Sequence, residues 1–262
     1  MIATRPSAQP DVLLRLAVRL ARAAGTALLD MQAGTLQTRT KSSPSDVVSS
    51  ADEKAQHIVV SALAACRPGD GVVAEESTPT ASTSGITWLI DPLDGTTNYL
   101  RGYPGWGVSI CARDKDGPLA AVVHDPLGGV LYAAAKNQGS WRNGSRLRIS
   151  GCEDLSIALV ATGLSYLPER RRAQSARLAR LACAVADIRQ GGSAALSLCS
   201  VAEGSVDAFV EDDLAPWDWA AGALLVAEAG GHIQVVTGHA GGSGVIAASP
   251  RLLPLLHDAF LG

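Results

Sequence analysis

The sequence predicts an α/β protein with an N-terminal α+β half and a C-terminal α/β half. Two stretches with helical spacing of apolar residues come first, and short β-rich runs separated by turn residues follow them. Beyond Gly151, strands alternate with helices. With 262 residues, 47% of them hydrophobic, the chain can bury a sizeable core. We place a soft boundary near residue 150 and predict units over 1–150 and 151–262, without a flexible linker.

The N-terminal half opens with two predicted helices. Apolar residues recur at helical spacing over 11–31. Ser50 and Glu53 match a Ser-x-x-Glu capping box, which predicts a second helix ending near Cys66 with Asp52 in its first turn. Five strands are then expected in one mixed or antiparallel sheet, over 71–74, 87–90, 106–112, 120–124 and 130–134.

The C-terminal half reads as alternating strands and helices. Strands are predicted over 157–161, 206–210 and 245–248, and helices over 169–186, 193–203 and 217–229 and at the end of the chain. Gly241, Gly242 and Gly244 lack a strand before them and a helix after them, so we interpret them as a turn and not as a nucleotide-binding loop.

The amino-acid composition argues against some classes of binding partner. A formal net charge of -3, with 22 basic and 25 acidic residues mixed along the chain, supplies no basic field for nucleic acid or for an anionic membrane. Five cysteines without a CxxC pair are typical of buried thiols in a reducing compartment. No apolar run reaches the roughly 18 residues of a membrane span, and we find no signal peptide, so we expect a cytoplasmic protein.

The stretch WLIDPLDGTTN, residues 88–98, carries the strongest chemical signal. Asp91 and Asp94, three apart around a turn, can face one cation, and the carbonyl of Leu93 can add a neutral oxygen. Gly95 and the two threonines that follow can present backbone N–H groups and hydroxyls to a phosphate. Either Asp-Pro or Asp-Gly alone is typical of a solvated turn, but the combination favours adjacent metal and phosphate sites.

Three further acids extend this pattern. Glu75 and Glu76 follow an apolar run and therefore end a predicted strand. Asp218 stands just before an apolar helix, where an N-cap role is compatible with metal binding. The five histidines form no cluster with ligand spacing, and we assign none to a metal.

Four motifs in order resemble the inositol monophosphatase family. They are KSSPSDVVSSAD at 41–52, AEES at 74–77, DPLDGTTN at 91–98 and WDWAAG at 217–222. The resemblance implies a layered α-β-α-β-α sugar-phosphatase fold with the site between the two halves, magnesium dependence, inhibition by lithium and a homodimer. Two departures are Ala74, where the family usually has glycine, and Trp219, a large aromatic beside a ligand.

The resemblance also implies a ligand set. Glu75, Asp91 and the Leu93 carbonyl would hold one Mg²⁺, and Asp91, Asp94 and Asp218 would hold a second, so that Asp91 bridges them. A third, weaker ion near Glu75 occurs in some relatives. Such ions activate a water and stabilise the leaving oxygen, and no covalent enzyme intermediate is needed.

The remaining site residues come from the same resemblance. Thr96, hydrogen-bonded to Asp52, would orient and deprotonate the attacking water, with Glu75 close by. Gly95 and Thr96 would hold the phosphate. The residues expected to contact or adjoin the substrate alcohol are Ser193, Ala194, Glu211 and Arg189. Glu211 could instead be a surface acid beside two aspartates, and Arg189 could be structural.

Three alternatives remain. A haloacid-dehalogenase phosphatase also has an aspartate-rich turn after a strand, but its two aspartates are separated by one residue, whereas two residues separate Asp91 from Asp94. Within the family, histidinol phosphate, fructose 1,6-bisphosphate and 3'-phosphoadenosine 5'-phosphate compete with inositol phosphate, a small phosphorylated polyol, as substrate. A primarily regulatory, non-catalytic binding protein is the third alternative.

Overall fold

The computed structural model describes residues 9–34, 37–40 and 47–262. The first part of the predicted N-terminal motif, 41–46, lies outside the described residues. Seven α-helices occur in the described part of the chain: α1 Pro10–Gln32, α2 Ser50–Cys66, α3 Thr96–Arg101, α4 Pro168–Ala184, α5 Ala194–Ala202, α6 Pro216–Glu228 and α7 Leu252–Leu261. None of them, over these ranges, combines the length and apolar character needed to span a membrane.

The strands form two large sheets and one short pair. The short antiparallel pair is β1 Thr38–Thr40 and β2 Val47–Ser49. The first sheet holds β3 Gly71–Ala74, β4 Thr87–Asp94, β5 Gly107–Asp114, β6 Gly117–Asp125, β7 Val130–Ala135, β8 Gly139–Arg142 and β9 Ser145–Arg146. The second holds β10 Leu159–Thr162, β11 Asp187–Arg189, β12 Ala208–Leu214, β13 His232–Thr237 and β14 Ser243–Ala248.

Both sheets are mixed. In the first, the strands follow chain order, and only β3 and β4 run parallel while the other neighbours are antiparallel. In the second, the order is β11-β10-β12-β14-β13, with β10 parallel to both of its neighbours and the β12, β14, β13 ladder antiparallel. The mixed N-terminal sheet and the C-terminal α/β half are both confirmed.

Alternation along the strands explains why the helices form layers. In β5, Ile110 packs with α1 and α2 in one buried cluster, while its neighbour Cys111 faces the other way and packs with α5 and α6. The same middle cluster contains Phe209 of β12, so α5 and α6 lie between the two sheets. On the far face of the second sheet, Val210 packs against α7. This is the predicted α-β-α-β-α arrangement.

The boundary near residue 150 falls in the connection between the sheets. Because α5 and α6 contact both sheets, the halves share one buried middle layer. Their status as separate units remains a prediction.

Some local predictions were wrong. The capping box of α2 uses Ser49 and Asp52 and not Ser50 and Glu53: the Ser49 backbone N–H donates to Asp52 Oδ2 at 2.8 Å. The chain is still extended at Ser49 because β2 ends there, and this shifts the cap by one residue. The glycine turn is confirmed by a bond from Gly238 N to Gly242 O, 2.8 Å, but Gly244 already lies in β14.

Candidate active site

An irregularity in β4 brings Asp91 and Asp94 to the same side of the sheet. Asp91 pairs with Ser109 and Asp94 with Gly107, so three steps along β4 match two along β5. One extra residue on β4 is a β-bulge, and Pro92, which has no N–H to give to a ladder, suits that position. In a regular strand, residues three apart would face opposite sides. The bulge therefore makes a shared site possible.

Neighbouring elements add two more acids. Because β3 runs parallel to β4 with Ala74 opposite Ile90, Glu75 follows at the edge beside Asp91, and its backbone N–H donates to Ile90 O at 3.2 Å. On the other side, Ser109 Oγ donates to the carbonyl of Trp217 at 3.2 Å, which places the start of α6 and Asp218 next to β5.

These acids line one cleft between the sheets, with a volume of about 450 Å³. Ten of the twelve predicted site residues line it: Glu75, Asp91, Leu93, Asp94, Gly95, Thr96, Ser193, Ala194, Glu211 and Asp218. Asp52 lies just behind the wall, where it is fully buried and bonded to Thr96. Arg189 is not part of the lining, and it pairs with Asp187 at 2.6 Å on the exposed edge strand β11.

The cleft holds a concentration of buried negative charge. Burial, followed by the charges of Glu75, Asp94 and Asp218, raises the pKa of Asp91 well above its usual range. Burial also raises the pKa of Asp94 to about 6, against hydrogen bonds that lower it. Burial, together with Asp218 and Asp94, raises the pKa of Glu211.

This donor set fits hard divalent cations, which prefer carboxylate and carbonyl oxygens. Burial and the neighbouring carboxylates raise the pKa of Asp91, and bound cations would supply the positive charge that stabilises its ionised form. Over the described ranges, however, no three His, Cys, Asp or Glu side chains already converge as a metal cluster. Like charges repel, and the oxygens bond to nearby donors instead, as when Asp218 Oδ2 accepts from Ala215 N at 2.7 Å.

Asp94 connects the two halves of the protein. Its Oδ2 accepts from Ser193 Oγ at 2.6 Å and from the backbone N–H of Ala195 at 2.7 Å. Ser193 is also the N-cap of α5, where its hydroxyl accepts from Leu196 N at 3.0 Å. The Ser193 side chain therefore holds Asp94 in place. A contact between Ser193 and the substrate stays a prediction.

Thr96 and Asp52 are directly bonded. Thr96 Oγ1 lies 2.9 Å from Asp52 Oδ1 and 3.1 Å from the Leu93 carbonyl, and its single proton can go to only one of them. The other Asp52 oxygen accepts from the backbone N–H and the hydroxyl of Ser49. Burial raises the pKa of Asp52 despite these bonds.

Asp218 lies inside α6 and not before it. Ala215 is the N-cap, and Asp218 is the third helical residue, whose carboxylate accepts from the Ala215 N–H. The expected N-cap position was wrong by one helical turn, but the carboxylate still caps the helix and lines the cleft.

Glu211 packs against a glycine that the sequence reasoning missed. An added Cβ at Gly163 would lie 2.3 Å and 2.4 Å from the two carboxylate oxygens of Glu211. Gly163 follows β10, which pairs with β12, and so stands beside Glu211 in the wall. A glycine directly after a strand that lines a predicted cleft is the signal that could have found it.

Replacing Gly163 with alanine is expected to displace the Glu211 carboxylate. Because the clash is with the end of a flexible side chain at the cleft, it should move the carboxylate with little loss of stability and change KM more than kcat. Thermal unfolding and steady-state kinetics check this. Gly34→Ala is the matched control, since its Cβ would meet only ordinary contact at 3.5 Å. Unchanged KM in a folded Gly163→Ala protein would contradict the expectation.

Two polar residues of the cleft were also missed. Arg170, in the first turn of α4, is the one basic residue in the lining of the cleft as far as the chain is described. Asn98 donates from Nδ2 to Gly191 O at 2.8 Å and to Gly105 O at 2.9 Å. No motif marks Arg170, because the run of arginines around it reads as a solvated helix face. Asn98 is the last residue of the motif at 88–98, in which the aspartates carry the metal-binding signal.

Fold and cleft together define a layered α/β protein with an acidic site between its two sheets. A sequence model described as the inositol monophosphatase family matches residues 9–260. The chain belongs to the inositol monophosphatase family.

Individual relatives agree with this assignment. The chain is 39% identical over 236 residues to an inositol-1-monophosphatase of Mycobacterium leprae, covering 86% of this chain and 81% of the relative. It is 36% identical over 247 residues to the Nus factor SuhB of Escherichia coli, covering 92% of each. The crystal structure of the extragenic suppressor protein suhB from Bartonella henselae superposes with a TM-score of 0.88 at 34% identity, covering 95% of this chain and 98% of that one.

Proposed function

We propose that this chain is a magnesium-dependent phosphatase that hydrolyses inositol 1-phosphate to inositol and phosphate. The observation that carries the proposal is that Glu75, Asp94 and Asp218 line the same cleft as Asp91, where burial and then their charges raise the pKa of Asp91. Membership of the family and similarity to proteins named inositol-1-monophosphatase support the reaction class. Cations held by these acids would attract an anionic ester to a cleft whose charged side chains are mainly carboxylates.

The proposed ligands divide into two overlapping sets. Glu75, Asp91 and the Leu93 carbonyl would hold one Mg²⁺, Asp91, Asp94 and Asp218 would hold another, and a third ion would bind weakly near Glu75. When bound, the ions supply an activated water and neutralise the developing charge on the leaving oxygen. Lithium inhibition is part of the proposal, since a weakly held magnesium is replaceable.

The chain's own proton path runs through Thr96. Its hydroxyl donates to Asp52 and so turns its lone pairs toward the cleft, where a water can donate to it. The raised pKa of Asp52 makes its carboxylate the stronger acceptor at the end of this path. Glu75 lies on the same cleft as a second acceptor.

The substrate would span the two halves. Its phosphate would lie at Gly95 and Thr96, where Gly95 takes φ 95° and where an added Cβ would come within 2.8 Å of Gly105 O. The alcohol would face Glu211 and the backbone at Ala194. For Arg189, outside the lining, we propose a supporting role on the strand edge. A homodimer without nucleic-acid or membrane partners remains our proposal for the assembly.

Glu211 is the residue that we propose to hydrogen-bond the inositol hydroxyls. Glu211→Gln should lower kcat/KM for inositol 1-phosphate by about 10- to 100-fold, which is the worth of a hydrogen bond to a charged group. A substrate without ring hydroxyls, 4-nitrophenyl phosphate, should change by less than about threefold. Steady-state kinetics on both substrates check this. Equal losses on both would assign Glu211 to the chemistry and not to recognition.

A substrate panel tests the proposed function itself. Phosphate release is measured from D-myo-inositol 1-phosphate, histidinol phosphate, fructose 1,6-bisphosphate and 3'-phosphoadenosine 5'-phosphate, each with magnesium and with EDTA. We expect turnover of inositol 1-phosphate only with magnesium. Preference for another ester would reassign the substrate, and turnover that persists in EDTA would remove the metal from the mechanism.

A second candidate, a binding role, is favoured by the similarity to proteins named Nus factor SuhB. Asp94→Asn separates the two roles, because it removes a proposed metal ligand and leaves an oxygen for Ser193 and Ala195. If a cellular phenotype of the deleted gene is restored by the inactive variant, the binding role stands. If it is restored only by the active protein, the enzymatic role stands.

A further inference from the structure

The segment at the start of α5 is held at two points by the stretch that begins with Asp94. At one point, Ser193 Oγ and Ala195 N donate to Asp94 Oδ2. At the other, Asn98 Nδ2 donates to the carbonyl of Gly191 at 2.8 Å. Asp94 and Asn98 stand four residues apart on either side of the turn into α3, and Gly191 and Ala195 are likewise four apart. These hydrogen bonds join residues 94–98 to residues 191–195, so the two stretches form a hydrogen-bonded ring across the two halves of the protein.

Asn98 has little freedom in this ring. Its Nδ2 also lies 2.9 Å from Gly105 O and 3.1 Å from Pro104 O, so its two protons are shared among three carbonyls. The backbone carbonyl of Asn98 accepts from Tyr103 N at 2.8 Å, which fixes the residue that carries the amide. One planar amide thus joins α3, the 104–105 loop and the 191–192 loop.

Two glycines leave the space in which the two loops and this amide meet. An added Cβ at Gly192 would lie 2.6 Å from Asn98 Nδ2, and one at Gly105 would lie 2.8 Å from Gly191 O. Both glycines also have positive φ, 89° and 91°. Glycine at 105 and at 192 is therefore what lets the two loops approach each other across the amide.

We propose that Asn98 is a positioning residue: it fixes the start of α5 against Asp94 and thereby sets the orientation of the Asp94 carboxylate toward the bound cations. The inference rests on the proposed role of Asp94 as a metal ligand. With Oδ2 committed to Ser193 and Ala195, the direction of the remaining oxygen follows the position of α5. Direct partners of metal ligands typically contribute 10- to 100-fold to metal affinity, and Asn98 acts one contact further out, so we expect the lower end of that range.

The test compares magnesium binding to wild type, Asn98→Ala and Asn98→Asp by calorimetry, beside hydrogen exchange of residues 191–196 in EDTA. We expect magnesium binding to weaken by about tenfold in the alanine variant and further in the aspartate variant, which turns a negative oxygen toward three carbonyls. Amides at 194–196 should exchange faster in both variants without metal, because the segment has lost one of its two attachments.

Asn143 offers a matched control. Like the Asn98 side chain, its amide donates to the backbone, to Gly129 O at 3.1 Å; it also accepts from Leu131 N at 2.9 Å, and it does not line the cleft. Asn143→Ala should lower the melting temperature and leave magnesium binding unchanged.

The outcomes separate the inference from the proposed function. Unchanged magnesium affinity in both folded Asn98 variants would overturn the positioning role and leave Asn98 as a structural residue. A wild type that binds no magnesium would overturn it together with the assignment of Asp94. If the wild type binds magnesium but hydrolyses no ester of the panel, only the proposed function fails. Asn98→Asp keeps the size of the side chain, so it provides the test if Asn98→Ala does not fold.

Discussion

Replacing Asp91 with asparagine should abolish magnesium-dependent turnover and, in the same protein, raise thermal stability in EDTA. Asp91 is the proposed bridge between two cations, and losing several kcal/mol of charge stabilisation corresponds to a fall in kcat/KM of about 10³-fold or more. In metal-free protein, the same carboxylate is buried against Glu75, Asp94 and Asp218. A neutral amide removes that repulsion, and each kcal/mol gained adds about 2–4 °C to the melting temperature.

The same charges set a pH dependence for the metal-free protein. Burial raises the folded-state pKa of Asp94 to about 6, and that of Asp91 is also raised, against about 4 when unfolded. Between these values the folded state binds more protons than the unfolded state, so the free energy of unfolding falls as pH rises through the window. Metal-free wild type should melt higher at about pH 5 than at about pH 7.5, and Asp91→Asn should reduce the difference.

Asp114→Asn provides the matched control. Asp114 Oδ1 accepts from Asp116 N, two residues ahead, at 2.8 Å, as Asp91 Oδ1 accepts from Leu93 N at 3.0 Å, but Asp114 ends β5 and does not line the cleft. Its substitution should change neither turnover nor the pH dependence of melting. An Asp91→Asn protein that is folded, still active and no more stable in EDTA than wild type would contradict both the ligand role and the electrostatic account.

The acids that line the cleft stand in motifs that combine local geometry with chemistry. A strand that runs into Asp-Pro-Leu-Asp-Gly places two carboxylates close together in the chain. Only the folded sheet shows how they come to face the same side. Regular pairing would have separated Asp91 from Asp94, and the bulge opposite Val108 brings them to one side. The strand and helix pattern predicted the two halves, and the layer order came from the family resemblance.

What the sequence did not predict depends on distant pairs. Gly163 matters because Glu211, on another strand, occupies the space of its missing side chain. Asn98 matters because residues 93 positions away in the chain complete its contacts. The cap of α2 moved by one residue because β2 holds Ser49 extended, which propensity alone does not indicate. Such pairs follow from packing and not from any local pattern.

Replacing Thr96 with valine should slow turnover more than it weakens binding. Valine keeps the branched shape at the start of α3 but removes the hydroxyl that donates to Asp52 at 2.9 Å. Loss of a positioned proton acceptor should lower kcat by about 10²- to 10⁴-fold, with a smaller rise in KM because the hydroxyl also borders the proposed phosphate position. Steady-state kinetics over a magnesium series measure both kcat and KM.

Serine at the same position separates the hydroxyl from the rest of the side chain. Thr96→Ser keeps the donor to Asp52 and loses only a methyl group, so kcat should stay within about tenfold of wild type. Asp52→Asn should resemble valine at 96, because an amide cannot take the proton that Thr96 passes on. If the valine protein kept more than a tenth of wild-type kcat, the water would have to lose its proton elsewhere, and Glu75, which lines the same cleft, would become the acceptor to test.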